Sequence, residues 1–173
     1  MAHGVVRLDR VSGTFDGSKL KSAKYFSGAS TAAIDNGNFV HINDELVANN
    51  IGGTDVTQRE VFKVVTPTSS DTRATVGLVA SVEIDPTSPV KYMDLADFTN
   101  AAGSVIRVYS LEPEDIFSVT ADALSGSPAK GAYVHIANGA TKLAANSTAT
   151  DALGVILDVD VVGRKTYYVI KVK

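Results

Sequence analysis

The chain has 173 residues, of which 47 are Val, Ile or Thr and only 10 are Leu, a balance that favours pleated sheet and excludes a helical bundle. It contains no Cys, which excludes disulfides, cysteine-ligated metal sites and thiol nucleophiles. The net charge is −3, and the basic residues lack the density and aromatic interleaving of a nucleic-acid-binding surface. We therefore expect no nucleic acid as a partner. No apolar run approaches the roughly 20 residues of a membrane helix, so we expect no membrane as a partner either.

The composition of residues 1–30 predicts an extended N-terminal arm. Ser, Gly, Ala and Lys dominate this segment, and few of its side chains are apolar outside a short strand at 4–8. Such a segment buries too little apolar surface to offset an ordering entropy of about 1–2 kcal/mol per residue. We expect the arm to become ordered on a partner, through strand pairing and charge complementarity. The predicted contact residues are Val5, Val6, Arg7, Leu8, Arg10, Lys19, Lys21 and Lys24.

From residue 31 onward, short apolar runs alternate with turn-forming sequences rich in Asn, Gly, Asp and Pro. This pattern predicts short strands at close spacing, because Asn-Gly and Gly-Gly supply positive φ and Pro ends a ladder. In the last run, Tyr168, Ile170 and Val172 share one face, as expected for a half-buried strand. The predicted strands are 38–42, 60–66, 75–84, 105–110, 115–120, 132–137, 153–161 and 166–173.

One short helix is predicted over 95–102, with Asp94 as its N-terminal cap and Gly103 as its C-terminal glycine. The sequence therefore predicts an all-β, barrel-like or sandwich-like body. Its expected parts are the arm (1–30), a first β unit (31–92), the helix with a connecting strand (93–112) and a second β unit (113–173).

Two pairs of segments indicate an internal duplication. Residues 37–42 resemble residues 131–136, and residues 76–84 resemble residues 153–161, in the same order along the chain. The spacer is longer in the first copy, which is consistent with an insertion there. The duplication predicts that Gly77 and Gly154 occupy corresponding places. A third similarity, between 60–64 and 115–119, breaks this order, so convergence of short β patterns is the alternative.

Few residues offer catalytic or metal-binding chemistry. His41 and His135 occupy equivalent places in the repeat, but two histidines underfill a zinc shell, and half-exposed structural positions explain them better. Asp158 and Asp160 share a strand face, which fits a carboxylate pair or, more simply, a solvated surface. Phosphate-binding glycine motifs and nucleophile elbows are missing from the sequence. We therefore expect no enzyme activity, no metal and no cofactor.

The second half of the chain, at 115–124, 130–136 and 152–159, resembles head decoration proteins of tailed bacteriophages, also called capsid cement or head-fibre proteins. Residues 138–143 and 167–173 complete the resemblance in this half, and residues 35–40, 59–67 and 95–103 extend it into the first, so that it covers about 31–173. The motifs consist mostly of β-turn sequences.

The resemblance implies a structural virion protein on the outer surface of the capsid, where it would stabilise contacts between major capsid protein subunits. It also implies self-association, commonly as trimers. Two other classes remain open at this point. A tail or baseplate component would share the β composition, and a glycan-active enzyme fragment would use the Asp158 and Asp160 pair.

Overall fold

The computed structural model describes residues 3–51, 54–83 and 94–173, with only the backbone described at 49–51 and 54–59. The part of the chain so described contains strands and short 3-10 turns but no α-helix, which confirms the all-β prediction. The strands are β1 (Val6–Arg10), β2 (Leu20–Ser27), β3 (Ser30–Thr31), β4 (Phe39–Ile51), β5 (Thr54–Val65), β6 (Val76–Val79), β7 (Ile106–Ser110), β8 (Ile116–Thr120), β9 (Leu124–Gly126), β10 (Tyr133–His135), β11 (Leu143–Asn146), β12 (Gly154–Val162) and β13 (Lys165–Val172). The 3-10 turns are Ser12–Thr14, Gly17–Lys19, Leu95–Asp97 and Ala121–Ala123.

Each of the eight strands predicted after residue 31 corresponds to a strand of the structure. The main difference is the hairpin of β4 and β5, which extends well beyond its predicted ends. It accounts for the longer spacer in the first copy of the repeat. The strand predicted over 75–84 is confirmed only at Val76–Val79; residues 80–83 are not in a strand, and residue 84 lies outside the described residues.

Strands β2, β5, β4, β6 and β7, in that spatial order, form what we call the first ring. Strand β5 lies parallel to β2, whereas the β4–β5, β4–β6 and β6–β7 pairs are antiparallel. Because β2 also pairs with β7, the sheet closes on itself. The short β3 pairs with β2 outside this ring.

Strands β8, β13, β12, β10, β11 and β9, again in spatial order, form the second ring. Strand β11 lies parallel to β9, and the remaining pairs are antiparallel. Strands β8 and β9 follow each other in the chain, separated only by the turn Ala121–Ala123, so the chain itself completes the ring. If β8 and β9 are counted together as one strand, both rings have the same strand order. The two rings therefore have the same topology.

The register of the two rings agrees at the predicted glycines. Val40 pairs with Gly77 in the first ring, and Val134 pairs with Gly154 in the second. A Cβ on Gly77 would lie 2.3 Å from Val108 Cγ1 and 3.1 Å from the Tyr109 carbonyl oxygen. A Cβ on Gly154 would lie 3.2 Å from Ile170 Cγ2 and 2.5 Å from the Lys171 carbonyl oxygen. Both glycines therefore allow the same close approach of the last strand of the ring.

The turns that precede β4 and β10 also match. Gly37 and Gly131 both have φ of +83°, a left-handed conformation that favours glycine. The Gly37 N–H donates to the Val79 carbonyl at 2.8 Å, and the Gly131 N–H donates to the Ile156 carbonyl at the same distance. The third sequence similarity, by contrast, falls on β5 and β8, which hold different places in the two rings, and so reflects convergence.

Alternation along the strands divides the apolar residues of the first ring between two cores. Val40 and Val79 point into the ring, whereas their neighbours Phe39 and Leu78 point out of it and join the core of the second ring. The ring interior is formed by Ala23, Tyr25, Ile34, Val40, Val64, Val79, Ile106 and Val108. The Phe39 and Phe117 rings, one from each unit, lie 5.9 Å apart. The core of the second ring is therefore built from both units, whereas the interior of the first ring forms a core of its own.

The prediction of an N-terminal arm is wrong. Strand β1 pairs with β8 of the second ring, and β2 closes the first ring. Ala23 and Tyr25 fill the ring interior although the segment looks polar. Because a five-stranded ring is narrow, one small and one aromatic side chain from this strand are enough to fill its share of the interior. Composition alone does not reveal this.

The predicted helix and two unit boundaries also need correction. Asp94 does cap a turn, accepting a hydrogen bond from the Ala96 N–H at 2.9 Å, but the turn ends at Asp97. The following residues are drawn into tertiary pairing, because Asn100 and Ile34 exchange two backbone hydrogen bonds. The first unit also begins before residue 31 and includes β7, which had been assigned to a connecting segment.

Candidate docking surface

The apolar residues predicted to contact a partner belong to the fold. Val5 is 1% exposed, and its N–H donates to Thr120 Oγ1 at 3.1 Å. Val6 and Leu8 are partly buried and pack against the core of the second ring. These three residues hold β1 in place and do not offer a free surface.

Arg7 is also engaged within the chain. Its guanidinium donates to Asp160 Oδ2 at 3.1 Å and to Ser118 Oγ at 3.3 Å. It lies 4.5 Å from the centre of the Tyr167 ring, which adds a cation–π contact. These contacts join β1 to β8, β12 and β13, so Arg7 has a structural role.

Two of the predicted lysines are likewise paired. Lys19 forms an ion pair with Glu112, which also accepts a hydrogen bond from Arg73 at 3.2 Å. The hydrogen bond from Lys19 lowers the pKa of the Glu112 carboxyl, and the bond to Glu112 raises the pKa of Lys19. The Lys21 ammonium lies 4.7 Å from the centre of the Phe62 ring. Of the predicted residues, Arg10 and Lys24 remain without a charged or aromatic partner among the described residues.

The sequence analysis missed the most prominent residue of this segment, Phe15. It is 90% exposed and lies between the turns Ser12–Thr14 and Gly17–Lys19, in the connection from β1 to β2. Its neighbours at strand spacing are both glycines, and every other residue of the run 12–18 is polar or glycine. That isolation is the signal that could have identified it as exposed.

The loop that carries Phe15 is anchored at both ends. Asp115, which is buried, accepts hydrogen bonds from the Ser12 N–H at 2.9 Å and from the Ser12 hydroxyl at 2.6 Å. Val11 before the loop is fully buried, and the Thr14 N–H donates to its carbonyl at 2.9 Å. The Phe15 side chain thus stands on a loop with a defined conformation.

The second half of the loop is fixed in the same way. Asp16 accepts a hydrogen bond from the Ser18 N–H at 2.9 Å, and the hydrogen bonds from Ser18 lower the pKa of this carboxyl. The Lys19 N–H donates to the Asp16 carbonyl at 3.0 Å. Ion pairing of Lys19 with Glu112 then ties the end of the loop to the body of the protein.

A shallow groove runs beside Phe15, and its exposed rim carries Arg10, Pro113 and Glu114. Glu114 pairs with Lys171 at 2.7 Å, so its charge is balanced within the chain. Arg10 keeps its charge available. We call Arg10, Phe15 and Pro113 the Phe15 surface: an aromatic side chain on a hydrogen-bonded loop, beside an arginine that has no ion-pair partner among the described residues.

The histidines form no joint site. His41 Nδ1 lies 2.5 Å from Asp71 Oδ1, and the Thr75 hydroxyl donates to the same oxygen at 2.8 Å. His135 Nε2 lies 2.9 Å from the Thr148 carbonyl oxygen. In the ranges that the structure describes, no three His, Asp or Glu side chains are grouped so that they could hold a metal ion.

The Asp158 and Asp160 pair is divided between two cations. Asp158 pairs with Lys130 at 3.0 Å, and the hydrogen bond from Lys130 lowers the pKa of Asp158. Asp160 pairs with Arg7 at 3.1 Å. Each carboxylate is therefore occupied by a basic side chain of the chain itself.

Comparison with family models, with curated proteins and with solved structures finds no match to this chain. Within the described residues, no helix is long and apolar enough to cross a membrane. The interpretation of function therefore depends on the sequence pattern and on the surface described above.

Proposed function

We propose that this protein is a structural virion protein that decorates the outer surface of a tailed-phage capsid and stabilises contacts between major capsid protein subunits. The observation that carries the proposal is Phe15, which is 90% exposed on a loop whose ends are both fixed. The resemblance of residues 31–173 to head decoration proteins supplies the identity of the partner.

The Phe15 surface has the properties of a binding hot spot. Aromatic and Arg side chains contribute most to the energy of many interfaces when a partner pocket removes them from water. Because the loop is already ordered, binding loses little conformational entropy. The unpaired charge of Arg10 would steer the protein toward an acidic surface and would make association depend on salt.

A small contact of this kind suits a capsid. The capsid lattice repeats the same binding site many times. Copies joined in an oligomer can bind several of these sites at once, with an avidity well above that of one contact. A trimer is the expected assembly from the resemblance. The arrangement requires surface complementarity and no reacting group, which fits a polar surface whose Asp158 and Asp160 are each paired with a cation.

The experiment is binding of the purified protein to undecorated heads, compared with binding to separated tails. Phe15→Ala should weaken head binding about 30-fold, the loss expected for a hot spot of about 2 kcal/mol. Val105→Ala is the control, because Val105 is also exposed, at 54%, and lies away from the loop. Arg10→Ala should slow association at low salt more than at high salt.

Two results would overturn the proposal. Wild-type protein that binds tails and not heads would assign it to the tail or baseplate. Phe15→Ala that binds heads as well as wild type does would remove the Phe15 surface from docking, provided that both variants melt like the wild type.

A further inference from the structure

One strand of the second ring has an unpaired edge. In the ladder, strand β12 pairs with β10 at Gly154 and Val155, and the pairing stops there because Tyr133, opposite Val155, is the first residue of β10. From Leu157 onward, the edge of β12 that faces away from β13 has no strand partner among the described residues. The hairpin of β12 and β13 thus extends beyond the ring as a two-stranded ribbon, and the backbone groups along its outer side have no strand partner among the described residues; the Val159 N–H on that side donates to Asp158 Oδ1 at 3.0 Å.

This ribbon exposes apolar side chains near its tip. Val161 is 73% exposed and Val162 is 54% exposed, on a chain whose other strands bury their valines well. The tip is a two-residue turn in which Gly163 has φ of +64° and Arg164 does not have positive φ, the pattern of a type II′ turn. β-Branched residues on a flat, unpaired edge are suited to strand pairing.

Charges commonly protect such edges from pairing, and β12 carries Asp158 and Asp160. Here both charges are neutralised within the chain. Lys130 pairs with Asp158 at 3.0 Å, and Arg7 pairs with Asp160 at 3.1 Å. These ion pairs lower the net charge of the edge, so that repulsion remains only where two carboxylates would lie directly opposite each other.

We propose that the β12 edge pairs in antiparallel fashion with β12 of a second copy of this chain, about a two-fold axis at Val161. The choice of register follows from charge. An axis at Asp160 would place that residue opposite itself, and an axis at Val159 would place Asp158 opposite Asp160, both unfavourable pairings of like charge.

An axis at Val161 avoids both contacts and adds a favourable one. It places Asp160 opposite Val162, and it brings Asp158 of one copy beside the turn of the other, where Arg164 is exposed and has no ion-pair partner among the described residues. Symmetry makes this contact twice. A pair of valines at the axis then completes a four-stranded ribbon shared by two copies.

An edge of about five residues is smaller than the roughly 1,200 Å² of a standard interface, so the pairing is weak in dilute solution. It becomes effective where copies are held close together, as on a surface with many binding sites. This inference does not depend on what that surface is. It uses residues separate from the Phe15 surface.

Cysteine trapping tests the pairing directly, because the chain has no native cysteine. Paired Cα atoms in an antiparallel ladder lie about 4.5–5.5 Å apart, within the range that a disulfide bridges. Val161→Cys should form a disulfide-linked dimer under mild oxidation at least about tenfold faster than Val105→Cys or Phe15→Cys. The Phe15 control is decisive, because its site is even more exposed than Val161.

A charge exchange tests the register. Asp158→Arg and Arg164→Asp should each slow trapping of Val161→Cys, whereas the two together should restore it, since the contact re-forms with exchanged signs. Equal trapping at residues 15, 105 and 161 would overturn the proposal. A double exchange that traps more slowly than either single exchange would overturn the register. Failure of Phe15→Ala to affect head binding would leave both results unchanged.

Discussion

The two rings have the same strand order but close in different ways. In the first ring one continuous strand, β2, pairs with β7 along residues 20–23 and with β5 along residues 22–26. In the second ring this strand is divided into β8 and β9 by the turn Ala121–Ala123. The division lies where the rings meet, since Ala123 is fully buried and its Cβ would be 2.9 Å from a Cβ on Gly37.

This comparison separates what the duplication keeps from what it changes. The glycine turns before β4 and β10 and the close approaches at Gly77 and Gly154 are kept, because they set the shape of each ring. The strand that closes the ring differs, because in the second unit it must also dock on the first. Contact between units has therefore altered one copy locally without changing its topology.

The largest expected effect comes from removing residues 1–24. The deletion eliminates β1 and most of β2, opens the first ring and exposes its core, so we expect no cooperative folded state. Far-ultraviolet circular dichroism and a thermal melt would measure this. A control that lacks only residues 1–2 should melt like the full chain. A cooperative melt for the long deletion, close to that of the full chain, would restore the interpretation of this segment as an arm.

Phe117→Ala tests whether the two rings depend on one core. Phe117 is fully buried and contacts Phe39 of the other unit, so its loss should lower the free energy of unfolding by about 3–5 kcal/mol. The matched control is Phe15→Ala, the same substitution at an exposed site, with an expected change within about 0.5 kcal/mol. Urea unfolding gives both values. Two separate transitions in the wild type would show that the rings unfold independently.

Gly154→Ala and Gly77→Ala test how alike the two glycine sites are. Both should destabilise the fold by about 1–3 kcal/mol through overpacking. Val108→Ala should partly relieve Gly77→Ala, whose closest contact is a side chain at 2.3 Å. Ile170→Ala should not relieve Gly154→Ala, whose closest contact is a backbone carbonyl oxygen at 2.5 Å.

Gly17→Ala is the control for this comparison, since a Cβ there meets nothing within 4 Å. Its free energy of unfolding should match that of the wild type or exceed it slightly. Equal relief of both glycine variants would mean that the backbone opposite Gly154 can shift, and would contradict the difference expected between the two sites.

The smallest expected effect concerns stability in acid. His41 contacts the carboxylate of Asp71, whereas His135 contacts only a backbone carbonyl. Burial alone would raise the pKa of Asp71, but hydrogen bonds from the Thr68 N–H, the Thr75 hydroxyl and His41 hold it below its usual value. With a folded pKa below the unfolded value of about 3.9, Asp71 stabilises the fold above that pH and loses this effect as pH falls through the folded pKa.

Asp71→Asn should therefore lose less stability than the wild type between about pH 5 and about pH 2, as measured by urea unfolding at each pH. His135→Gln serves as the control in the second ring, where the histidine meets a carbonyl and not a carboxylate. It should keep the acid dependence of the wild type. An unchanged acid dependence in Asp71→Asn would contradict the assignment.

The sequence predicted most strands of the two rings, because these carry a local signal, but it missed β2, β9 and β11. Alternation identified β13, and Gly at 37 and 131 marked turns that need positive φ. The repeat also predicted the correspondence of Gly77 and Gly154. These features depend on neighbouring residues, which a single sequence records.

The closing strand β2 and the exposed Phe15 could not be predicted in the same way. Strand β2 is a strand because β5 and β7, far along the chain, supply its partners. The helix predicted after Asp94 is likewise reduced to one 3-10 turn, because Asn100 pairs with Ile34, which is distant in the sequence. The predicted docking residues rested on strand pairing and charge. A sequence does not show that Val5 is buried against the chain's own β8, or which charges meet a counterion, as Arg7 meets Asp160.

The pairing of β1 with β8 has a consequence for synthesis on the ribosome. The register joins Val6 to Val119, so the first strand to emerge waits for more than a hundred further residues before its partner exists. Closing so long a loop costs entropy and slows folding. The first ring can form from β2 to β7 while β1 remains unpaired beside it. Completion of the nascent protein therefore depends on its earliest segment staying accessible until β8 has been translated.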